Sequence, residues 1–290
     1  MEKPSSVNAT PLKSRHGPRV LAHPLFWSGL FIFLGLILLC FWGPVLYPAS
    51  PYAIHLSWIG RGPSATLPLG GDELGRNELA RIMLGGQLLI VVGLASALVA
   101  TAFGATVGLA AGLIGGRVDR VLTSVTDVVL SVPQLVPLLL IDVLLRPSAT
   151  TMIFVVALTS WPVVARLVRA ESLRIRELDY VTAAQSLGAG DLRIAFFHVL
   201  ANQWASIWVS ATTQVGAAVL TLATASFLGF GLPPPFPNWA GMIAASTSNM
   251  SAGYWWTMVF PGLAFVLLQL SVNFISDAVG ETYTVRKEVA

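Results

Sequence analysis

The chain has 290 residues, of which 55% are hydrophobic and only 11% are charged, and its mean hydropathy is +0.74. Because uncharged apolar runs of 19 residues or more recur along it, the composition excludes an ordinary soluble protein and predicts an all-α integral membrane protein. The runs are continuous instead of alternating, which excludes a transmembrane barrel. The formal charge of +3 comes from scattered basic residues, which we interpret as topology signals and not as a nucleic-acid site.

The first part of the chain predicts a cytoplasmic tail, a membrane span and a wet segment. Residues 1–24 are polar, and residues 25–46 are uncharged and too long for the apolar region of a cleavable signal peptide, so we expect a retained first span. Residues 47–86 are rich in Pro and Gly and contain the charged stretch GGDELGRNELARIMLGG. We therefore predict an external segment whose helix lies flat at the membrane surface.

The remaining apolar runs predict a core of five further spans over residues 87–280, followed by a tail at 281–290. The predicted spans are 87–115, 121–145, 147–165, 203–231 and 254–276. Pro133 and Pro137 lie in the third of the six spans and predict a kink there.

The distribution of basic residues predicts the orientation of these six spans. An even number of spans places both termini on one side, and thirteen of the 17 Lys and Arg residues then fall on that side. By the positive-inside rule, both termini and the loop at 166–198 are predicted to be cytoplasmic.

Small residues in the second span predict a close helix contact. Gly104, Gly108 and Gly112 recur at four-residue spacing, which places them on one stripe of the helix. Such stripes let helix backbones approach closely in membranes, so we expect a contact either within the chain or with a partner subunit.

Two carboxylates lie in the third span. An aspartate at mid-membrane costs about 2.5 to 3.5 kcal/mol, so Asp127 and Asp142 each need a partner, the headgroup region or a water-filled path. For Asp127 we expect pairing with Arg117, Arg120 or a facing backbone near the interface. Both residues are also candidates for a transport pathway.

Catalytic motifs are missing from the sequence. None of the three lysines follows a glycine, so a phosphate-binding P-loop is excluded, and neither HExxH nor GxSxG occurs. We therefore expect a chain that is not an enzyme and that binds no cofactor or metal itself.

The cytoplasmic loop predicts a helix, a tight turn and a second helix. The segment ESLRIRELDYVTAAQSL favours a helix through Leu187, and Gly188 suits the left-handed residue that ends a helix. Asp191 is placed to cap the following helix. The result would be a short elbow of small residues that projects little side chain and can dock into a groove on another protein.

The stretch YVTAAQSLGAG followed by HVLA resembles the cytoplasmic loop of bacterial ABC importer permeases. The segments GGDELGRNELARIMLGG, GGRVDRVLTSVTDVVLSVP and ASFLGFGLPPPFPNWAGM resemble the dipeptide, oligopeptide and nickel permeases of that family, in the same order and over about residues 68–280. Thr182 and Ala201 depart from it, since the family usually has Glu and Pro there. The resemblance implies an ATPase-coupling loop whose residues are Tyr180, Ala183, Ala184, Leu187, Gly188, Ala189, Asp191 and Leu192.

The resemblance also implies a set of partners and a location. Permeases of this family have the type I importer fold, lie in the bacterial cytoplasmic membrane, and work with a second, similar permease, two cytosolic ATPase subunits and an external substrate-binding protein. ATP and Mg²⁺ are used by the ATPases. The expected substrates are dipeptides, oligopeptides, nickel chelates or related solutes.

Two alternative functions remain at this point. A proton-coupled secondary transporter would use Asp127 or Asp142 and follow a proton gradient. A membrane scaffold would recruit a cytosolic partner without transport, and would show no substrate-stimulated ATPase activity.

Overall fold

The computed structural model describes residues 23–145, 148–190, 193–233 and 235–289, and these residues are mostly helical. The α-helices, in chain order, are α1 Pro24–Ile37, α2 Gly43–Leu46, α3 Glu78–Ile114, α4 Gly116–Ser131, α5 Leu135–Leu144, α6 Ala149–Arg176, α7 Asp179–Ser186, α8 Ala201–Phe227, α9 Trp239–Ser246 and α10 Trp256–Val289. Two π-helical stretches, Leu38–Trp42 and Ile194–Leu200, join α1 to α2 and lead into α8.

Five helical stretches are long and apolar enough to cross a membrane. They are Pro24–Leu46, Glu78–Ile114, Ala149–Arg176, Ala201–Phe227 and Trp256–Glu281. The helices Gly116–Ser131 and Leu135–Ile141 meet at a bend of 77° and make a sixth stretch if they count as one. The chain is thus a multi-pass helical protein with five or six candidate spans, which confirms the predicted helical membrane fold, and the count of six stays a prediction.

The prediction of a separate, surface-lying helix within residues 47–86 is wrong. Residues 47–77 hold only the 3-10 turn Leu56–Trp58 and two isolated β-bridges, and the helical residues from Glu78 onward continue without a break into α3. Asn77 caps this helix, since its Oδ1 accepts a hydrogen bond from the backbone N–H of Ala80 at 3.0 Å. Arg81 near the start of α3 lies 3.5 Å from the carboxylate of Asp72, so this charge is paired without a helix in the membrane plane.

The predicted kink in the third span is a full break between α4 and α5. Val132 has an extended backbone, which is the conformation that a following proline favours, and Pro133 cannot donate a helical hydrogen bond. The side chain of Gln134 donates a hydrogen bond to Ser160 Oγ at 2.7 Å and fixes the break against α6.

Helix α3 lies at the centre of the bundle, between α6 and α8. Polar side chains hold the same helices together: Gln214 of α8 donates to the backbone oxygen of Ser160 at 3.0 Å, and Gln203 donates to Ser172 Oγ at 2.7 Å. Interhelical hydrogen bonds of this kind supplement close packing where lipid offers no hydrophobic drive between helices.

Candidate functional site

The glycine stripe of α3 lies against α6 of the same chain. A Cβ atom built on Gly104 would lie 2.5 Å from the backbone oxygen of Trp161, and one on Gly108 would lie 2.5 Å from that of Ala165. A Cβ on Gly112 would lie 2.4 Å from Ser172 Cβ. The contact therefore lies within the chain. It fixes the position of α6, the helix that leads into the loop at 166–198, which the sequence predicts to be cytoplasmic.

This loop contains a tight turn, which we call the elbow (residues 177–190). Helix α6 ends at Arg176, the chain turns at Glu177 and Leu178, and α7 follows, so the predicted single helix through Leu187 is interrupted. Gly188 has a φ of +86°, which favours glycine, and the backbone N–H of Ala189 donates to the oxygen of Ala184 at 3.0 Å. This six-to-one hydrogen bond with a left-handed glycine is the Schellman helix end, so the turn lies where the sequence places it.

Two sets of contacts hold the elbow against the helix bundle. Val181 and Ile194 are buried with Ile175 and Val199 in an apolar cluster. The Nη1 of Arg176 donates to the backbone oxygen of Leu113 at 2.8 Å, at the end of α3. The interruption after α6 places Val181 in this cluster, and these contacts join the elbow to α3 and α6.

The tip of the elbow projects one large apolar side chain, which corrects the prediction that it projects little. Leu187 is 89% exposed, Tyr180 is 44% exposed, and Ala183 is also exposed. A Cβ on Gly188 would meet no atom within 4 Å, so the turn itself lies in open space. Asp191 and Leu192 lie outside the described residues. An exposed leucine next to a glycine turn that has no side chain is suited to insertion into a groove of another protein.

The two departures from the family motif have simple structural surroundings. Thr182, which stands where the family usually has Glu, is exposed. Its hydroxyl donates a hydrogen bond to the backbone oxygen of Leu178 at 3.4 Å. Ala201 begins α8 directly after the π-helical stretch, and the helix runs through it.

The opposite end of the bundle contains a charged cluster (Asp72, Glu73, Arg76, Glu78 and Arg81). Asp72 is 3% exposed, and its Oδ2 lies 2.6 Å from Arg76 Nε and 3.5 Å from Arg81 Nε. Glu73 accepts a hydrogen bond from Asn249 Nδ2 at 3.1 Å, which connects the cluster to the segment between α9 and α10. A cavity of about 430 Å³ lies between this cluster and residues 226–246.

Two buried tryptophans close the same end. The indole N–H of Trp239 donates to the backbone oxygen of Ile82 at 2.8 Å, and that of Trp256 donates to Gly71 at 3.0 Å. These partners are 157 and 185 residues apart in sequence, so no local pattern could have revealed them.

The carboxylate of Asp127 has a partner other than those predicted. Its Oδ1 lies 2.7 Å from Nη2 of Arg166 on α6, and both side chains are more than half exposed. Arg117 and Arg120 are on the same helix as Asp127, whereas the bundle brings Arg166 to it across 39 residues of sequence. The side chain of Asp142 lies outside the described part of the structure.

Comparisons with known proteins match the chain over most of its length. The family model for the binding-protein-dependent transport system inner membrane component matches residues 104–284, and that for the N-terminal transmembrane domain of oligopeptide transport permease C matches residues 18–63. A putative peptide permease protein of Brucella ovis is 33% identical over 95% of this chain and 92% of its own length.

Two further relatives carry more specific names. The dipeptide transport system permease protein of Bacillus subtilis is 33% identical over 89% of this chain and 81% of its own length. The glutathione transport system permease protein of Pectobacterium atrosepticum is 34% identical over 88% and 84%. The chain therefore belongs to the binding-protein-dependent family of ABC transport permeases, whose members are non-catalytic, multi-pass subunits of the inner membrane that work with ATPase and binding-protein partners.

Proposed function

We propose that this permease subunit forms half of the translocation path of an ATP-driven importer for peptides or related small solutes, such as dipeptides, oligopeptides or nickel chelates. The names of its peptide, dipeptide and glutathione relatives support this substrate group. In the complete importer the chain pairs with a second, similar permease, two cytosolic ATPase subunits and an external binding protein, in contact with membrane lipid. ATP and Mg²⁺ are bound by the ATPases.

The proposal includes a membrane topology. The bent pair α4 and α5 counts as one span, which gives six spans of the type I importer fold and places both termini in the cytoplasm. The excess of basic residues on the side of the elbow supports this orientation. The charged cluster and residues 226–246 then form the external end, where the binding protein docks.

The observation that carries the proposal is the elbow, which has an exposed apolar tip and is anchored to α3 and α6. A docked ATPase that binds the elbow differently in its open and closed states biases the permease between inward-open and outward-open forms, because a ligand shifts an equilibrium only by its differential affinity for the two states. The exposed Leu187 and the turn at Gly188 provide the contact, and Arg176 and Val181 connect it to the bundle.

Reconstitution tests the proposed function against both alternatives. The complex of the two permeases, the ATPases and the binding protein is placed in liposomes, and ATP hydrolysis and peptide uptake are measured. We expect uptake that requires ATP and hydrolysis that the loaded binding protein stimulates. Uptake that follows a proton gradient without ATP would favour the secondary transporter, and unstimulated hydrolysis without uptake would favour the scaffold. Ligand binding to the cognate binding protein identifies the substrate.

A further inference from the structure

The exposed surface of α4 is divided lengthwise into two stripes. The polar stripe consists of Arg120, Ser124, Asp127 and Ser131. The valine stripe, one residue further along at each step, consists of Val121, Val125 and Val128. All seven side chains are exposed in the single chain, and at 3.6 residues per turn the two stripes are about 100° apart on the helix. One helix therefore faces two different surroundings.

The ion pair on the polar stripe shows what those surroundings are. Asp127 and Arg166 lie 2.7 Å apart with side-chain exposures of 56% and 62%. Residues 117, 119 and 120 of α4 are charged, so the proposed membrane boundary lies near Arg120, and at 1.5 Å per residue Asp127 lies about 10 Å beyond it within a hydrocarbon core about 30 Å thick. Charges on a lipid-facing surface at such a depth are costly, whereas valine side chains suit lipid or a neighbouring helix. The polar stripe therefore needs water or a polar solute in front of it.

A cavity with mixed apolar and charged walls adjoins the same ion pair. It has a volume of about 270 Å³ between α3, α4 and α6, and its walls include Thr123 and Arg169 as well as Asp127 and Arg166. Arg169 makes a two-pronged ion pair with Asp119, so two aspartates and two arginines follow the α4–α6 contact with no net charge. Balanced charges of this kind accommodate a solute that carries both signs.

We infer that the polar stripe of α4 lines the path of the transported solute and that the Asp127–Arg166 pair contacts a zwitterionic peptide on its way through. A peptide presents one ammonium and one carboxylate group, so each member of the pair can exchange its partner for a group of the solute and leave no charge unpaired. The valine stripe faces lipid or the second permease. This inference depends on the proposed function for the identity of the solute.

Cysteine accessibility tests the placement of the stripe without knowledge of the solute. Cys40 is the only cysteine of the chain, so Cys40→Ser gives a thiol-free parent. Ser124→Cys and Ser131→Cys report on the polar stripe, and Val121→Cys and Val128→Cys are the matched controls one helical step away. The complete importer, in membrane fragments open on both faces and without nucleotide, is treated with a charged, membrane-impermeant thiosulfonate, and labelling of this chain is followed by mass. We expect the two serine positions to react at least about tenfold faster than the valine positions.

Two results would overturn this placement. One is equal or faster labelling of the valine positions. The other is labelling of the serine positions in the isolated chain but not in the complex, which would assign the polar stripe to the interface with the second permease. If the Cys40→Ser complex still shows ATP-dependent uptake, either result defeats the inference and leaves the proposed function standing.

The contact with the solute has its own test. In Asp127→Asn the apparent KM for peptide uptake should rise about fivefold or more, with a smaller change in kcat. The doubly exchanged variant Asp127→Arg with Arg166→Asp restores an ion pair, but in reversed orientation, and should not restore the KM. Recovery of the wild-type KM by the exchange would show that the pair only braces α4 against α6, and an unchanged KM in Asp127→Asn would remove Asp127 from the path.

Discussion

The two ends of this helix bundle are built on opposite principles. At the end that holds the charged cluster, Asp72, Trp239 and Trp256 are buried, and each forms hydrogen bonds to residues of another segment or of its own loop. At the opposite end, the elbow exposes Leu187, and a Cβ atom on Gly188 would meet no atom within 4 Å. The first arrangement pairs Asp72 and both indole N–H groups within the chain, although Glu78 Oε1 is buried without a partner, whereas the second exposes apolar surface.

This difference assigns different consequences to mutations at the two ends. Substitution in the charged cluster should affect the stability of the fold, because buried charges that lose one partner are left uncompensated. Substitution at the tip of the elbow should affect the coupling between the permease and the ATPase and leave stability almost unchanged, because the side chains there are exposed and contribute little to folding. Melting of the purified subunit and uptake by the complete importer therefore separate the two regions.

The largest effect is expected at Asp72. Asp72→Asn removes the charge that faces Arg76 and Arg81, and we expect the free energy of unfolding to fall by about 3 kcal/mol or more. Thermal unfolding of the purified subunit measures this loss. Arg174→Gln is the control, since it breaks an exposed ion pair near the elbow and should cost less than about 1 kcal/mol. Similar losses in the two variants would contradict the contrast between the ends.

The next largest effect is expected at Gly188. Gly188→Arg should leave membrane insertion intact and reduce uptake about 100-fold, because a bulky charge at the turn blocks docking of the ATPase; by the usual conversion this corresponds to about 2.7 kcal/mol. Gly188→Ala is the control for backbone strain alone, which costs about 1 kcal/mol at a φ of +86°. Copurification of the ATPases with the arginine variant at wild-type yield, together with normal uptake, would refute this expectation.

A smaller effect on stability is expected at Trp256. Trp256→Phe removes the indole N–H that donates to Gly71, leaves that carbonyl oxygen unsatisfied, and should cost about 2 kcal/mol. The neighbouring Trp255 is 49% exposed, so Trp255→Phe should change the unfolding free energy by less than about 0.5 kcal/mol. A larger loss of unfolding free energy in Trp255→Phe than in Trp256→Phe would contradict this expectation.

The smallest effect on folding is expected at Leu187. Leu187→Ser should change the free energy of unfolding by less than about 0.5 kcal/mol, because the side chain is 89% exposed, yet it should lower uptake about fivefold through loss of the apolar contact with the ATPase. Leu187→Met keeps an apolar side chain and should keep most of the uptake. Wild-type uptake by the serine variant would show that the leucine does not enter a groove.

The features that the sequence predicted are those that depend on composition and local chain geometry. The first span, the break near Pro133 and the turn at Gly188 all follow from apolar runs or from the backbone preferences of proline and glycine. The glycine stripe of α3 was visible for the same reason, although its partner helix was not.

The features that it missed depend on contacts between distant segments. The charged start of α3 was predicted to lie flat because Glu73 and Asn249, whose hydrogen bond helps to hold its surroundings, are 176 positions apart and give no local signal. Likewise, Asp127 pairs with Arg166 because α6 packs beside α4, and not because of its own helix. The exposure of Leu187 could have been suspected from a leucine directly before a turn glycine, but only the packing of α7 shows that it points away from the cluster around Val181.

Cross-linking from the tip of the elbow tests the central claim most directly. A single cysteine at Leu187→Cys, in the Cys40→Ser parent, is given a short thiol cross-linker in the complete importer. We predict that this position becomes linked to a nucleotide-hydrolysing subunit and that thiol reagents reach it from the cytoplasmic face. Labelling only from the external face, or a complex in which no ATPase lies within reach of this residue, would contradict it.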